Sequence, residues 1–563
     1  MIVHVREIRR FSLFVLIPLL SISLNAQIFL NHSNSKYQTA YQVYQNLILA
    51  FGRSTASPSL ELNKRTVNGI RFIASYQPGT NPVIILDEEV YDLCCNYGND
   101  SLDALASILA HELTHYFMNH NFCSDFAFIL GEKSPLAKQM LKISVLDKKK
   151  SESEADYYGN FYGYVAGYST YETMPHIIKD IYKHYSLPNE IRGYPSLQER
   201  ISIANESVKQ VKEWIALFDA GELLFILKRY DAAFTCFQKL SAKFPSREIF
   251  NNAGTMLLFS AIEDINQNDF PFSLPIEYDP MTRLKQGQLR SEQIDSKMFV
   301  EKLNSAIELF DKAIKKDPKY FNATINKACA YILLKNYPMA EGLIIELKKS
   351  MTSKISEDQL SRIYAVQGIV ATYQNQFNQA EICFDSALTI DHSPINEYNA
   401  FVYKENHPNV TDIVDKAIQF LFSSGSYKPP AQRSIPLEKE KIGGKSADQL
   451  DLTYNNQQIS FSDNQFPWII YYKDEDTYGN YFFYDKTYHC RIKAIATQFG
   501  YTGKCDKNIG RYDPVNRVKI EYGLESYSIR TPFGRYLVYR QSNIAFFIDS
   551  KGKIQQWWVY QFE

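Results

Sequence analysis

The apolar positions of this chain change their spacing twice. In "DSLDALASILAHELTHYFMNH", Leu102, Leu105, Ile108, Leu109, Leu113 and Phe117 recur every three or four residues. They line one face of a helix that Asp100 or Ser101 can cap. Just before it, "NPVIILDEEVYDL" opens with Pro82 and a β-branched run, which predicts a short strand in a region (27–205) that otherwise reads as mostly helical. From about residue 206, small and aromatic residues recur instead: Gly221, Tyr230, Ala233 and Phe237, then Ala306, Phe310 and Ala313, then Ala328, Tyr331, Tyr337 and Ala340, then Gly368, Phe377, Ala380, Phe384 and Ala387. Small residues suit close helix crossings, and aromatics fill the space between turns. The stretch "NQNDFPFSLPIEYDPMTRLKQGQLRSEQ" interrupts this pattern as an insertion. After a Ser-, Gly-, Pro- and charge-rich linker over 426–445, "WIIYY", "YFFYD", "RVKIEY", "RYLVYR", "IAFFID" and "IQQWWVY" run with a period of two. Residues 446–563 are therefore predicted to form a small antiparallel β domain, its aromatic stripe three times more readily core than binding surface.

Composition supports several globular units. The chain has 563 residues, 45% hydrophobic and 22% charged, and a net charge of −1, so no basic field points to nucleic acid. The N-terminus stands apart: Arg6, Arg9 and Arg10 precede an apolar run from Phe11 to about Leu24 and the small Ala26. That is the layout of a signal peptide over 1–26, with export to the periplasm or medium and no transmembrane span in the mature chain. Among eight cysteines, Cys490 and Cys505 are the favoured disulfide pair, while Cys236, Cys329 and Cys383 read as small core residues. The repeat spacings over 206–425 resemble the tetratricopeptide repeat, a stacked helix pair that forms an α-solenoid and offers a surface to a protein partner.

The chemistry concentrates in "HELTH". His111 and His115 lie four apart, on one helical face, so their imidazoles can share one metal ion, and Glu112 beside them can accept a proton from a water. A catalytic zinc needs a third protein ligand and an open position. "KKKSESEADYYGNFYGYVAGY" offers Glu152 as that ligand and, one turn on, Asp156 to accept a hydrogen bond from a ligating histidine. Glu154 is the competing ligand, and spacing alone does not exclude it.

The HExxH followed some forty residues later by "ESEADYYG" resembles the HtpX-type gluzincin metallopeptidases, the family that includes the CAAX prenyl proteases. The resemblance covers roughly 60–205 and implies a mainly α, zincin-like domain over 27–205. It implies zinc (Zn2+) on His111, His115 and Glu152, with Asp156 supporting. His120 matches a frequent family histidine that is not usually a ligand. In "GYPSLQERISIA", Pro195, Ser196 and Arg200 match the family's His-Pro-Ser-x-x-x-Arg segment, but Tyr194 stands where many members carry a histidine that can plug the metal. Tyr194, Arg200 and His176 are candidates to contact the substrate oxyanion, and His120 and His184 are assigned to structure.

The expectation is thus an exported zinc metalloendopeptidase that cleaves protein or peptide substrates in cell-envelope quality control, with Glu112 as general base. The alternative is a chaperone or docking scaffold in which the repeats bind and the peptidase site is rarely active.

Overall fold

The computed structural model describes residues 29–52, 57–64, 73–120, 144–190, 194–265, 269–276, 296–350, 355–407, 439–450, 459–462, 468–475, 477–485, 491–498, 500–531, 534–549 and 551–562. The segment expected as a signal peptide, residues 426–438 of the expected linker, Cys123 and Cys490 lie outside them, while Ile442, within the expected linker, is buried in the core of the last domain. Cys505 is a buried thiol whose sulfur accepts a hydrogen bond from Tyr522 at 3.2 Å, and the expected Cys490–Cys505 pairing lies in part outside the described residues. Most described residues are helical, and an antiparallel sheet ends the chain. Among them, no helix is long and apolar enough to cross a membrane.

The first part begins with α1 (Ser35–Phe51), β1 (Ser59–Asn63), β2 (Ala74–Gln77) and β3 (Val83–Asp87). The anticipated strand is β3, the middle of a three-stranded sheet ordered β1-β3-β2, with β1 parallel and β2 antiparallel to it. The sequence reading missed β1 and β2, each too short for its alternation to stand out. After α2 (Glu88–Cys95) comes α3 (Ser101–Phe117), buried without a break from Asp103 to His115. Its sides are closed by α1, by α4 (Val145–Val165) and by α5 (Thr170–His184). The α3–α4 crossing is close. A Cβ built on Gly159 would stand 3.1 Å from the backbone carbonyl carbon and oxygen of Ala110 and the nitrogen of His111.

Helix α6 (Leu197–Ile226) runs for 30 residues, straight through the anticipated domain boundary at 205/206. A capping box of Ser196 and Glu199 starts it, and nothing in its sequence breaks it. Helices α7 (Tyr230–Lys243), α8 (Arg247–Glu263), α9 (Ser296–Lys316), α10 (Phe321–Leu333), α11 (Tyr337–Ser350), α12 (Glu357–Tyr373), α13 (Phe377–Ile390) and α14 (Pro394–Asn406) then pack as successive hairpins. The small-and-aromatic pattern does what its spacing suggested. Phe237, Phe310 and Phe384 lie over Gly221, Gly254 and Gly368, where an added Cβ would come within 3.0, 2.7 and 2.7 Å of each ring.

The C-terminal sheet has eight described strands: β4 (Ile459–Ser462), β5 (Trp468–Asp474), β6 (Tyr478–Asp485), β7 (Arg491–Thr497), β8 (Tyr527–Thr531), β9 (Gly534–Tyr539), β10 (Ile544–Asp549) and β11 (Ile554–Phe562). They are ordered β4-β5-β6-β7-β11-β10-β9-β8, antiparallel throughout. The period of two sorts its aromatics onto two apolar faces. Tyr472, Tyr481, Tyr536 and Trp558 join the core of the helices, while Leu537, Phe546, Trp557 and Val559 pack with α15 (Val515–Tyr522). This helix carries the "RVKIEY" expected as a strand: its alternation buries only Val518, and the segment winds into a short helix after Pro514.

This domain grips the helix that carries HExxH. Tyr512 donates to Asp100 at 2.5 Å, and Arg511 lies 3.8 Å from Asp103 in the first turn of α3. It also covers α6, where Asp219 accepts from Tyr481 at 3.5 Å and from Tyr164 at 2.5 Å. A cavity of about 100 Å3 remains there, lined among others by Phe218, Asp219, Glu222, Tyr536 and Phe547. Burial pushes the carboxyls of Asp219 and Glu222 up to about 7, against hydrogen bonds from tyrosines that lower them.

Two stability predictions follow from this packing. Gly159→Ala should cost about 1–3 kcal/mol in urea unfolding, because backbone cannot yield to the new methyl. Gly342→Ala, at an exposed position of α11 with nothing within 4 Å, should instead gain up to about 1 kcal/mol. The second concerns pH. Between the unfolded carboxyl range of about 4 and the folded value of about 7, the native state holds protons that the unfolded chain has lost. Stability should therefore fall as pH rises through that window and level off above it. Unfolding curves of Asp219→Asn/Glu222→Gln across the same range should show a shallower decline than wild type.

Candidate metal centre

The centre is assembled from two helices. Positions 111, 112 and 115 fall on the buried length of α3, and 152 and 156 lie one turn apart on α4, facing it across the Gly159 crossing. One ligand atom each from His111, His115 and Glu152 lies within 4.8 Å of the other two, and all three residues are buried. The Nε2 atoms of the two histidines are 2.9 Å apart, and Nε2 of His111 is 3.3 Å from Oε2 of Glu152. Glu112 is buried beside them on α3.

Hydrogen bonding fixes which ring nitrogens are bare. Nδ1 of His111 lies 2.8 Å from Oδ1 of Asp156, a carboxylate that can only accept, so His111 carries its proton on Nδ1 and presents a lone pair at Nε2. Nδ1 of His115 is 2.8 Å from Nδ1 of His120, whose Nε2 is 3.0 Å from Oε2 of Glu154. Read from the acceptor-only end, Glu154 takes the Nε2 proton of His120. Nδ1 of His120 then accepts from His115, and His115 also presents Nε2 bare. Two imidazole lone pairs and a carboxylate oxygen converging at one point are a donor set suited to zinc.

The charges behind the donors are buried too. Arg200, at the start of α6 and 1% exposed, binds Asp156 through both terminal nitrogens, at 2.5 and 2.9 Å, and its Nε lies 3.4 Å from Glu152. Burial alone would raise the Asp156 carboxyl, but Arg200 and His111 hold it below the usual carboxylate range. Burial lowers the His120 imidazole, with Glu154 partly opposing.

The anticipated residues divide accordingly. His111, His115 and Glu152 come together, Asp156 supports His111, and Glu154 serves His120 rather than the donor set. Arg200 has its fork committed to Asp156, because a guanidinium this deeply buried needs a counter-charge. Tyr194 is buried just before the Ser196 cap, His176 is exposed on α5, and His184 bonds to Glu89 at 3.0 Å. Sequence reasoning passed over the His120–Glu154 pair as a support for His115. It also passed over Lys148, buried one turn before Glu152, whose ammonium burial lowers and Glu152 partly restores.

Metal titrations of variants should separate these roles. His111→Ala, His115→Ala and Glu152→Ala should each abolish stoichiometric zinc binding. Asp156→Ala should weaken it about 10–100-fold, and Glu154→Ala should retain the metal. Loss of zinc in Glu154→Ala with retention in Glu152→Ala would reverse the assignment.

No family model matches the sequence, and no curated protein matches it. Among solved structures, two of IFIT1 monomeric mutants are similar in part. One, with Gppp-AAAA, is 14% identical, with 59% of each chain covered and a TM-score of 0.29. The other, with m7Gppp-AAAA, is 15% identical, covers 59% of this chain and 58% of that one, and has a TM-score of 0.29. The chain thus spans less than two thirds of the length of the structures it matches.

Proposed function

We propose that this chain is an exported zinc metalloendopeptidase of the HtpX-type gluzincin kind, with a zincin-like domain followed by tetratricopeptide-like repeats, acting on protein or peptide substrates of the cell envelope. One observation carries the reading. Two histidine nitrogens and a carboxylate oxygen converge within 4.8 Å, and a buried Glu112 adjoins the histidines on the same helix. A purely structural zinc has no need of that acid.

Bound to His111, His115 and Glu152, zinc would supply Lewis acidity toward a water and the scissile carbonyl. Glu112 takes the proton of the attacking water and passes it to the leaving amine. Asp156 keeps the His111 ring in one tautomer, and Arg200 keeps Asp156 ionised. Strand β2 lies at the edge of its sheet and packs over α3, with Tyr76 edge-on to Tyr116 at 5.7 Å between ring centres. Its outer edge suits an extended substrate backbone laid beside the cluster. The scaffold reading keeps the fold and the metal but assigns the cellular role to the repeats.

Glu112→Gln decides between them. It preserves size and all three ligands, so zinc content should persist while casein cleavage falls by about 10²–10⁴-fold. A variant with undiminished cleavage would remove Glu112 from the chemistry. If cleavage is lost but every cellular function survives, hydrolysis is dispensable and the scaffold reading prevails.

A further inference from the structure

The helix hairpins of the second part are joined by short connections, such as residues 317–320, 334–336 and 374–376, with one exception: residues 264–295 separate α8 from α9. The described piece of that connection, Asp269–Ile276, reads Asp-Phe-Pro-Phe-Ser-Leu-Pro-Ile and is buried from Phe270 onward, except for the half-buried Pro271.

The repeats hold the backbone of this piece, which is an unusual use of their side chains. The Asn399 amide of α14 makes two bonds to one residue. It accepts from the Ser273 N–H at 2.7 Å and donates to the Ser273 carbonyl at 2.8 Å. Arg362 of α12 donates through Nε and a terminal nitrogen to the Pro275 carbonyl, both at 3.2 Å. Its other terminal nitrogen is held by Asn322 of α10 at 3.1 Å, and its plane lies over Phe321 with 5.1 Å to the ring centre. These polar groups come from α10, α12 and α14, every second helix of the array, so they share one side of the stack. Apolar anchoring is separate. Phe272 stacks on Phe384 at 5.5 Å, Phe270 stacks on Tyr373 at 5.9 Å, and Tyr373 stacks in turn on Tyr337 at 5.2 Å.

A side-chain amide that pairs with both the N–H and the C=O of one residue recognises a peptide backbone and is indifferent to the side chain there. Combined with aromatic sites for alternate residues, it has the form of an extended-peptide receptor: backbone bonds supply general affinity and pockets supply selection. We infer that the face formed by α10, α12 and α14 is a peptide-binding groove, occupied here by the chain's own insertion. The partner it fits is an extended, proline-containing segment with aromatic residues two apart, Phe-Pro-Phe-x-Leu-Pro in pattern. The prolines suit it, because they favour extended backbone and withhold N–H groups that the groove does not need. Asn399 and Arg362 are the backbone clamps, and the rings of Tyr373 and Phe384 select the aromatics. The inference is independent of peptide hydrolysis and stands whether or not Glu112 is catalytic.

The test uses the full chain and a fluorescent octapeptide of residues 269–276. In anisotropy titrations the wild type should bind it weakly, because the groove is filled. Phe270→Ser/Phe272→Ser, which loosens the internal occupant, should bind about tenfold or more tightly, a gain above 1.4 kcal/mol. Adding Asn399→Ala should cancel that gain, and a peptide with serine at both phenylalanine positions should not bind. Equal binding by wild type and the loosened variant, or none by either with the variant folded by circular dichroism, overturns the inference. Should the loosened variant fail to fold, hydrogen exchange on the wild type decides. Excess peptide should speed exchange at the Ser273 amide by displacing the internal segment, and unchanged exchange refutes the proposal.

Discussion

Arg200 and Asp156 bury opposite charges together at the point where three helices meet. Neither tolerates removal of the other: a buried pair that loses one member typically costs 3–5 kcal/mol, because the survivor is left uncompensated. The bond also has direction. Asp156 accepts from Arg200 on both oxygens and from His111 on Oδ1, so the guanidinium from α6 bears on the proton of the His111 imidazole of α3 through a carboxylate of α4. Any movement of α6 relative to α3 and α4 is felt at the donor set.

That coupling gives the rest of the architecture its meaning. α6 is one unbroken helix from the Ser196 cap to Ile226, so its first turn belongs to the candidate metal centre and its last turns to the repeats and the sheet. Asp219 and Glu222 sit near its far end, under the aromatic face of the C-terminal sheet. The same sheet domain reaches Asp100 and Asp103 at the opening of α3 through Tyr512 and Arg511. The last domain therefore holds both α3 and α6 at points away from the centre.

The centre itself was largely legible in the sequence, because helical periodicity places residues four apart on one face. His111 with His115, and Glu152 with Asp156, obey that rule. Glu154 is two positions from Glu152, about 200° around the helix, and the structure turns it to His120. Spacing along one helix could not reveal that, since His120 comes from beyond the end of another. The Gly221–Phe237 and Gly368–Phe384 pairings were readable as small residues under rings. The clamp of Asn399 on Ser273 was not, because it joins residues 126 apart with no shared pattern. The same holds for Tyr512 and Asp100, 412 apart. The position 205/206 lies inside a helix for a different reason: the change in pattern is real, but amphipathic sequence continues through it, and a helix ends only where something ends it.

X-ray absorption at the zinc edge on the purified full chain tests the central claim most directly. The account predicts about one zinc per chain, with two imidazole nitrogens at roughly 2.0–2.1 Å, light oxygen scatterers at roughly 2.0–2.2 Å from Glu152 and solvent, and no sulfur shell. A sulfur shell near 2.3 Å, or protein that takes up no stoichiometric zinc while folded, would contradict it.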